Sequence, residues 1–431
     1  MATTITTWMS LLNPFLGIFT QPGHVIFMRL TTGWILCTVR RTVTGMLPFA
    51  DSDGLHAHDA YHRFFPDARW CMDQLWKTLA HILVVTFYRT GPIPLALDDT
   101  LFHHCGKKIN GASWWRDALR STKAKHVSAW GLNLVILTLQ IQPPWGGEPL
   151  GLPINMRLHR KKEATLIELA QQMIEEVSRW FPNRRLQVVG DGFFASLAGK
   201  DISQTTIISR IQRNAEIYDL LPKIKSKRRG RGRPPTKGKR LASPEKMAPR
   251  VKKWQRVKVC ERGQMRTRLI YTKILLWYRV SHQPILLVIS RDPEGREKDD
   301  FLFTTDVEMD PATVIGIYAD RWAIEDTFKN TKQLMGGQQP QTFKGQGPER
   351  AAGLSLWLYS MVWLWYLLQK KNKRTFMVSP WNPTKATPSF ADALRGLRRE
   401  LWTERIKHMF GIDAVHDKKF KFLLEALAPA A

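Results

Sequence analysis

Residues 129–142 read AWGLNLVILTLQIQ. The run is rich in alternating β-formers, and that pattern predicts a long strand. Working outward, Leu150 to Leu158 follows as a pairing partner, and Ile93 to Asp98 precedes it as a short apolar run ending in two acids. Downstream, Lys162 to Trp180 has the periodicity of an amphipathic helix, Leu186 to Gly190 (LQVVG) reads as a buried strand ending at Asp191, and Thr205 to Ile211 as a further strand. Three strands, helix, strand, helix, strand is the order of an α/β chain. It implies one mixed sheet with flanking helices.

The flanks differ in character. Residues 1–90 carry long apolar helical patterns at Val25 to Leu47 and Trp70 to Phe87, separated by the turn signal Asp51-Ser52-Asp53-Gly54. Arg40 and Arg41 lie inside the first pattern, so this helical domain reads either as a DNA-end binder or as a packing and dimerisation module. Residues 212–305 interrupt the α/β pattern as a basic, β-rich insertion domain. Lys223 to Lys258 hold 16 Lys or Arg and one acid, with Gly and Pro throughout, a composition that cannot bury itself without a polyanion. Strand signals follow at Arg268 to Val280 and Pro284 to Ser290.

Asp310 then suits a helix N-cap, Pro311 the first helical position and Gly336-Gly337 the stop, which predicts one long helix. Ala351 to Gln369 is uncharged and long enough to span a bilayer. It carries Ser355, Tyr359 and Ser360 and directly follows the acidic helix described below, and we read it as a buried core helix. The expected division is 1–90, helical; 91–211, first part of the core; 212–305, insertion; 306–371, second part of the core; 372–431, a basic helical tail.

Composition narrows the function. The 431 residues are 44% hydrophobic, enough for a packed core, yet 65 Lys and Arg stand against 37 Asp and Glu, a formal charge of +28. Such an excess predicts a polyanionic partner, because each phosphate contact releases counterions. Nucleic acid fits better than a membrane surface or a small-molecule substrate. The four cysteines are scattered without a CxxC pair, which excludes a disulfide scaffold or zinc ribbon and suits a reducing compartment. His103, His104 and Cys105 are adjacent, but neighbouring residues do not readily supply three tetrahedral ligands. Met1 to Gly23 lacks the basic start and cleavage site of a signal peptide.

Cutting a phosphodiester calls for two divalent cations roughly 3.5–4 Å apart, held by carboxylate oxygens. Two apolar runs end in acid: LALDDT, with Asp98 and Asp99, and LQVVGDGFF, with Asp191. The third element is sharper. In IYADRWAIEDTFKNTKQ (317–333), Tyr318, Arg321, Glu325 and Lys332 stand at steps of three, four and seven, which on one helix share a face. An i,i+4 Arg-Glu pair of purely structural purpose has the same spacing.

The spacing Tyr-x2-Arg-x3-Glu-x6-Lys resembles, without a gap, the signature of a large group of bacterial cut-and-paste insertion-sequence transposases with an Asp/Asp/Glu (DDE) active site. LALDDT is similar to that group's first aspartate strand and VVGDGFF to its second, and the resemblance spans roughly residues 93–370. It implies a ribonuclease-H-like core, with Asp98, Asp191 and Glu325 as catalytic metal ligands for two Mg²⁺ (or Mn²⁺) ions. It implies that Tyr318, Arg321 and Lys332 grip DNA near the scissile phosphate. The group's first strand usually reads Asp-x-Thr, which selects Asp98 through Thr100, with Asp99 as the alternative first aspartate. A β-rich insertion between the second Asp and the Glu is also implied, and here 133 residues separate Asp191 from Glu325. Within it, Arg231-Gly232-Arg233-Pro234 resembles an AT-hook, whose arginines enter a narrow minor groove; a flexible basic linker has the same composition. Lys107 and Lys108 fit backbone contacts or a solvated surface pair. The implied activity is cleavage at the ends of a mobile element and transfer of the 3′-hydroxyl into target DNA. The implied partner is double-stranded DNA bound by a homodimer, in a bacterial cytoplasm. The alternative is a DNA-binding protein, derived from a transposase, that no longer cuts.

Overall fold

Strand β1 (Ile93–His103) is the hinge of the architecture. In the computed structural model, which describes residues 7–122, 124–221, 236–378, 380–411 and 418–429, it is followed by β2 (Ser113–Arg116), β3 (Ser128–Ile141) and β4 (Leu150–His159). Next come β5 (Leu186–Gly190), β6 (Thr205–Arg210), β7 (Gln255–Glu261), β8 (Gln264–Leu275), β9 (Ile285–Arg291) and β10 (Asp300–Thr304). All ten form one sheet in the order β2-β3-β1-β5-β6-β10-β9-β8-β7, with β4 also paired to β3. β1 is antiparallel to β3 and parallel to β5, and β5 is parallel to β6. The strands of the expected insertion do not form a sheet of their own. β10 runs antiparallel to β6 and continues the ladder, because β6 otherwise presents an open edge.

Among the described residues, twelve α-helices accompany the sheet: α1 (Trp8–Leu12), α2 (Gln21–Leu36), α3 (Val43–Ala50), α4 (His58–Arg63), α5 (Met72–Phe87), α6 (Leu166–Trp180), α7 (Pro244–Met247), α8 (Pro311–Asp320), α9 (Ala323–Gln333), α10 (Gly347–Leu368), α11 (Phe390–Phe410) and α12 (Lys418–Leu427). The pattern Val25 to Leu47 is two helices, not one. Thr42 caps α3 by accepting from Gly45 N–H, and Arg40 and Arg41 fall in the connection.

Alternation along the strands gives the sheet two apolar faces. Leu95, Leu97, Val188, Ile207 and Phe303 face the main core, with α5, α6 and α10. Ala96, Val189, Ile208, Val288 and Leu302 face a second core, covered by Val314, Ile315 and Tyr318 of α8. The apolar helix α10 lies inside the fold: its most hydrophobic window is 94% buried, and Trp357 takes Phe15 edge-on at 4.9 Å from the N-terminal helices.

Candidate active site

The sequence reading ends the first strand at its two acids, but β1 runs on to His103, so Asp98 and Asp99 stand in mid-strand. The cause is asymmetric pairing. Toward β3 the ladder extends from Leu95 to His103, whereas toward β5 it stops at Leu97, opposite Gly190. Asp98 therefore sits where its parallel neighbour ends. The next residue of that neighbour is Asp191, whose charge reaches Asp98. Asp191 is held in a turn: its Oδ1 accepts from Phe193 N–H at 2.9 Å and its carbonyl from Ser209 Oγ at 2.6 Å.

The expected single helix from Asp310 is broken. α8 stops at Asp320 and α9 begins at Ala323, with Arg321 and Trp322 between them. The turn is tightened there, with Ile324 N–H bonded to Arg321 O and Glu325 N–H to Trp322 O, both at 3.0 Å. The break lets α8 cover the second core while α9 packs on β4 and β1. It also divides the four residues expected on one face. Tyr318 is buried, only 5% exposed, with the guanidinium groups of Arg210 and Arg321 over its ring at 5.2 and 5.7 Å. Arg321 is buried as well. Its Nη1 donates to Asp98 Oδ2 at 2.8 Å and its Nη2 lies 3.9 Å from Glu325 Oε1, so it stands between the first aspartate and the glutamate. Lys332 donates to Thr100 Oγ1 at 2.7 Å.

Asp98, Asp99, Glu325 and Lys332 line one cavity of about 670 Å³. Asp191 is not in its lining, although its charge reaches both Asp98 and Asp99. Asp117 and Arg262 are among the lining residues that the sequence reading does not single out. Asp117, at the end of β2, is 3% exposed and bonds His103 Nε2 at 3.0 Å. Arg262 comes from the tip of the β7–β8 hairpin, where both Arg262 and Gly263 have positive φ. Gly263 lies so close to the Gly147 backbone that a Cβ would meet its carbonyl at 2.2 Å. Arg262 reaches Glu148 at 2.7 Å and lies over the exposed Trp322 ring at 5.6 Å. Lys107 and Lys108 line a neighbouring cavity instead. Arg231 and Arg233 lie outside the described residues.

The electrostatics of the pair of aspartates are distinctive. Burial raises the Asp98 carboxyl to about 7, with the charges of Asp191 and Asp99 adding to it and Arg321 and the Asp99 N–H opposing. Asp99 rises to about 6, again chiefly through burial. Burial also raises Glu325 and brings Lys332 down to about 8. Burial, more than any lack of cations, raises these carboxyls, and hard oxygen donors of this kind suit a divalent cation. Among the described residues, no three Asp, Glu, His or Cys side chains come together closely enough to hold a metal ion, so the expected Asp98, Asp191 and Glu325 triad does not converge here; the Arg321 guanidinium stands between Asp98 and Glu325.

A carboxyl raised from 3.8 to about 7 takes up a proton on folding between those values. Its ionisation therefore removes stability as pH rises through that window. In metal-free buffer the wild-type chain is expected to lose stability from about pH 4 to about pH 7 more steeply than Asp98→Asn, by at most ~4 kcal/mol over that window at ~1.36 kcal/mol per unit. Urea unfolding at several pH values checks this, and equal slopes for the two chains would contradict it.

Residues 24–272 match the family described as DDE superfamily endonuclease. The chain belongs to that family. The matched segment runs from α2 into β8 and contains both aspartates but ends before Glu325. No curated protein matches the chain. Among solved structures, it is similar to a piggyBac transposase in a cryo-EM synaptic complex with hairpin DNA, at 10% identity and a TM-score of 0.39, covering 95% of this chain and 77% of that one.

Proposed function

We propose that this member of the DDE endonuclease family is a DNA transposase that cuts the ends of a mobile element and joins the freed 3′-hydroxyl to target DNA. The observation that carries the reading is the register of β1 and β5, which brings Asp98 beside Asp191, together with Arg321 linking Asp98 to Glu325 across one cavity. In support, the order β4-β3-β1-β5-β6, with β5 and β6 parallel to β1 and the other two antiparallel in succession, is consistent with a ribonuclease-H-like core. The Tyr318, Arg321, Glu325, Lys332 spacing resembles that of insertion-sequence transposases.

On this reading Asp98, Asp191 and Glu325 would hold Mg²⁺, with Asp99 the alternative to Asp98. The ion, when bound, polarises the phosphate and lowers the cost of charge on the attacking and leaving oxygens. The chain's own groups bind and orient the DNA. Arg321 offers a planar phosphate clamp now occupied by Asp98. Lys332, anchored on Thr100, offers a point charge in the same cavity. Tyr318 fixes Arg321 from behind rather than reaching DNA itself. The +28 charge supplies long-range attraction to the duplex. Two ends must be cut and joined together, so the working form is a homodimer on DNA.

The test is excision in cells, with a marker placed between the repeats that flank the gene. Wild type is expected to excise the marker and leave joined flanks. If intact repeats are bound by the purified protein but never cut, with or without added Mg²⁺, the reading gives way to a DNA-binding protein that has lost catalysis.

A further inference from the structure

The short helix α4 carries a pair of histidines that takes no part in the carboxylate cavity. His58 and His62 are four residues apart, so they lie one above the other on the same side of the helix, and both are exposed. Their Nε2 atoms are 3.2 Å apart, and their rings are tilted 47° to each other with centroids at 4.4 Å.

That separation is the bite of a chelate. At a metal–nitrogen distance of roughly 2.0–2.1 Å, two ligands at the tetrahedral angle lie about 3.3–3.4 Å apart, and at a right angle about 2.9 Å. The observed 3.2 Å falls between the two. With no cation present, one Nε2 must donate a hydrogen to the other; a cation placed between them takes a lone pair from each. The segment reads His58-Asp59-Ala60-Tyr61-His62, and histidines at i and i+4 are how helices hold zinc. Asp59 is engaged by Arg63 at 2.7 Å on open surface, so the pattern supplies binding and no general base. The negative charge of Asp59 reaches His62 and favours a cation there.

The pair is held ready. Tyr61 is buried and donates its hydroxyl to Asp51 Oδ2 at 3.0 Å. The Asp51 oxygens also accept from Leu55 N–H at 3.1 Å and His56 N–H at 2.9 Å, which fixes the entry to α4. At the exit Phe64 and Phe65 are buried, and Arg350 donates to Phe65 O at 3.0 Å. Ligands on a backbone pinned at both ends lose little freedom on binding. Burial and the neighbouring charge of His58 lower the His62 pKa, which keeps a neutral, ligating ring available near pH 7.

Imidazole nitrogens suit cations such as Zn²⁺, Ni²⁺ or Cu²⁺, whereas Mg²⁺ takes oxygen donors. We propose that His58 and His62 together bind one Zn²⁺ ion per chain, separate from the carboxylate cavity. Among the described residues no third Asp, Glu, His or Cys joins the pair closely enough to ligate, so water fills the remaining positions. The inference does not depend on the DNA reading.

The test is calorimetric titration of Zn²⁺ into the full-length protein, free of any affinity tag, in excess Mg²⁺ to compete at the carboxylates. Wild type is expected to bind one Zn²⁺ per chain. His58→Gln and His62→Gln are each expected to weaken that binding at least about tenfold, since even the hydrogen-bond partner of a metal ligand is worth ~10–100-fold. Asp98→Asn is expected to leave it unchanged. Urea midpoints in EDTA equal to that of wild type show that the histidine variants are folded. A wild-type chain that takes up no Zn²⁺, uptake that both histidine variants retain in full, or uptake that disappears with Asp98→Asn overturns the site.

Discussion

Glu325→Gln is expected to leave DNA binding intact and to remove cleavage, with a loss on the order of a thousandfold or more in rate. Glutamine keeps the size and shape of the side chain and discards its charge. Glu325 is the half-exposed member of the cavity, at the start of α9, and its near cationic neighbour is Arg321 Nη2 at 3.9 Å. Among the described residues its side chain makes no hydrogen bond, so stability should be little changed. What the substitution removes is a negative oxygen ligand. Metal-assisted charge stabilisation supplies several kcal/mol of a phosphoryl-transfer barrier, and each ~1.4 kcal/mol is tenfold. The measurement is a single-turnover cleavage assay on end-containing DNA, paired with a binding isotherm in EDTA. Cutting by Glu325→Gln at the wild-type rate would exclude Glu325 as a ligand, and the carboxylate partner of Asp98 and Asp191 would have to be sought elsewhere in the cavity, at Asp117 or Asp326.

Which parts of this were legible in the sequence follows from how local each signal is. The strand signals at 93–98, 129–142, 150–158, 186–190 and 205–211 come from short apolar runs, and each falls on a strand. Asp98 and Asp191 could be singled out because each closes such a run. Pairing is not local. Nothing in residues 300–304 announces that they will meet β6 and carry the insertion strands into the same sheet. The hairpin that brings Arg262 to the cavity is equally invisible, since its contact partners, Glu148 and Trp322, lie more than a hundred and about sixty residues away in the chain. The helix break at Arg321 carries no Gly or Pro to mark it. It is imposed by the tertiary fold, because α8 and α9 cover different elements and Arg321 is anchored on Asp98. Helical periodicity alone therefore puts Tyr318 beside Glu325, whereas the break turns Tyr318 into the second core.

Arg350→Met is expected to lower global stability by roughly 4 kcal/mol without touching the catalytic cavity. Arg350, in the first turns of α10, is 7% exposed. Its Nη1 donates to Phe65 O at 3.0 Å and Ala68 O at 2.9 Å, its Nη2 donates to Trp70 O at 2.6 Å, and its guanidinium lies over the Trp70 ring at 4.5 Å. Burial lowers its pKa against the nearby charges of Glu349 and Asp67, and its direct hydrogen bonds are all to carbonyls. The connection between α4 and α5 is thereby stapled to the helix that runs through the core. Methionine keeps the apolar stem and deletes every donor. Three carbonyls then lose bonds worth ~1.5–3 kcal/mol each to a charged group, with the lower end appropriate where water can enter. Arg63→Met is the control, since its pair with Asp59 is exposed on both sides and worth at most ~0.5 kcal/mol. Urea midpoints followed by tryptophan fluorescence separate the two, and equal midpoints would show that the staple carries no stability. Because Arg350 belongs to neither cavity described above, the folded fraction of Arg350→Met at low temperature should cut DNA at the wild-type rate. That separates loss of fold from loss of chemistry, and makes Arg350 the reference against which the Glu325→Gln result is read.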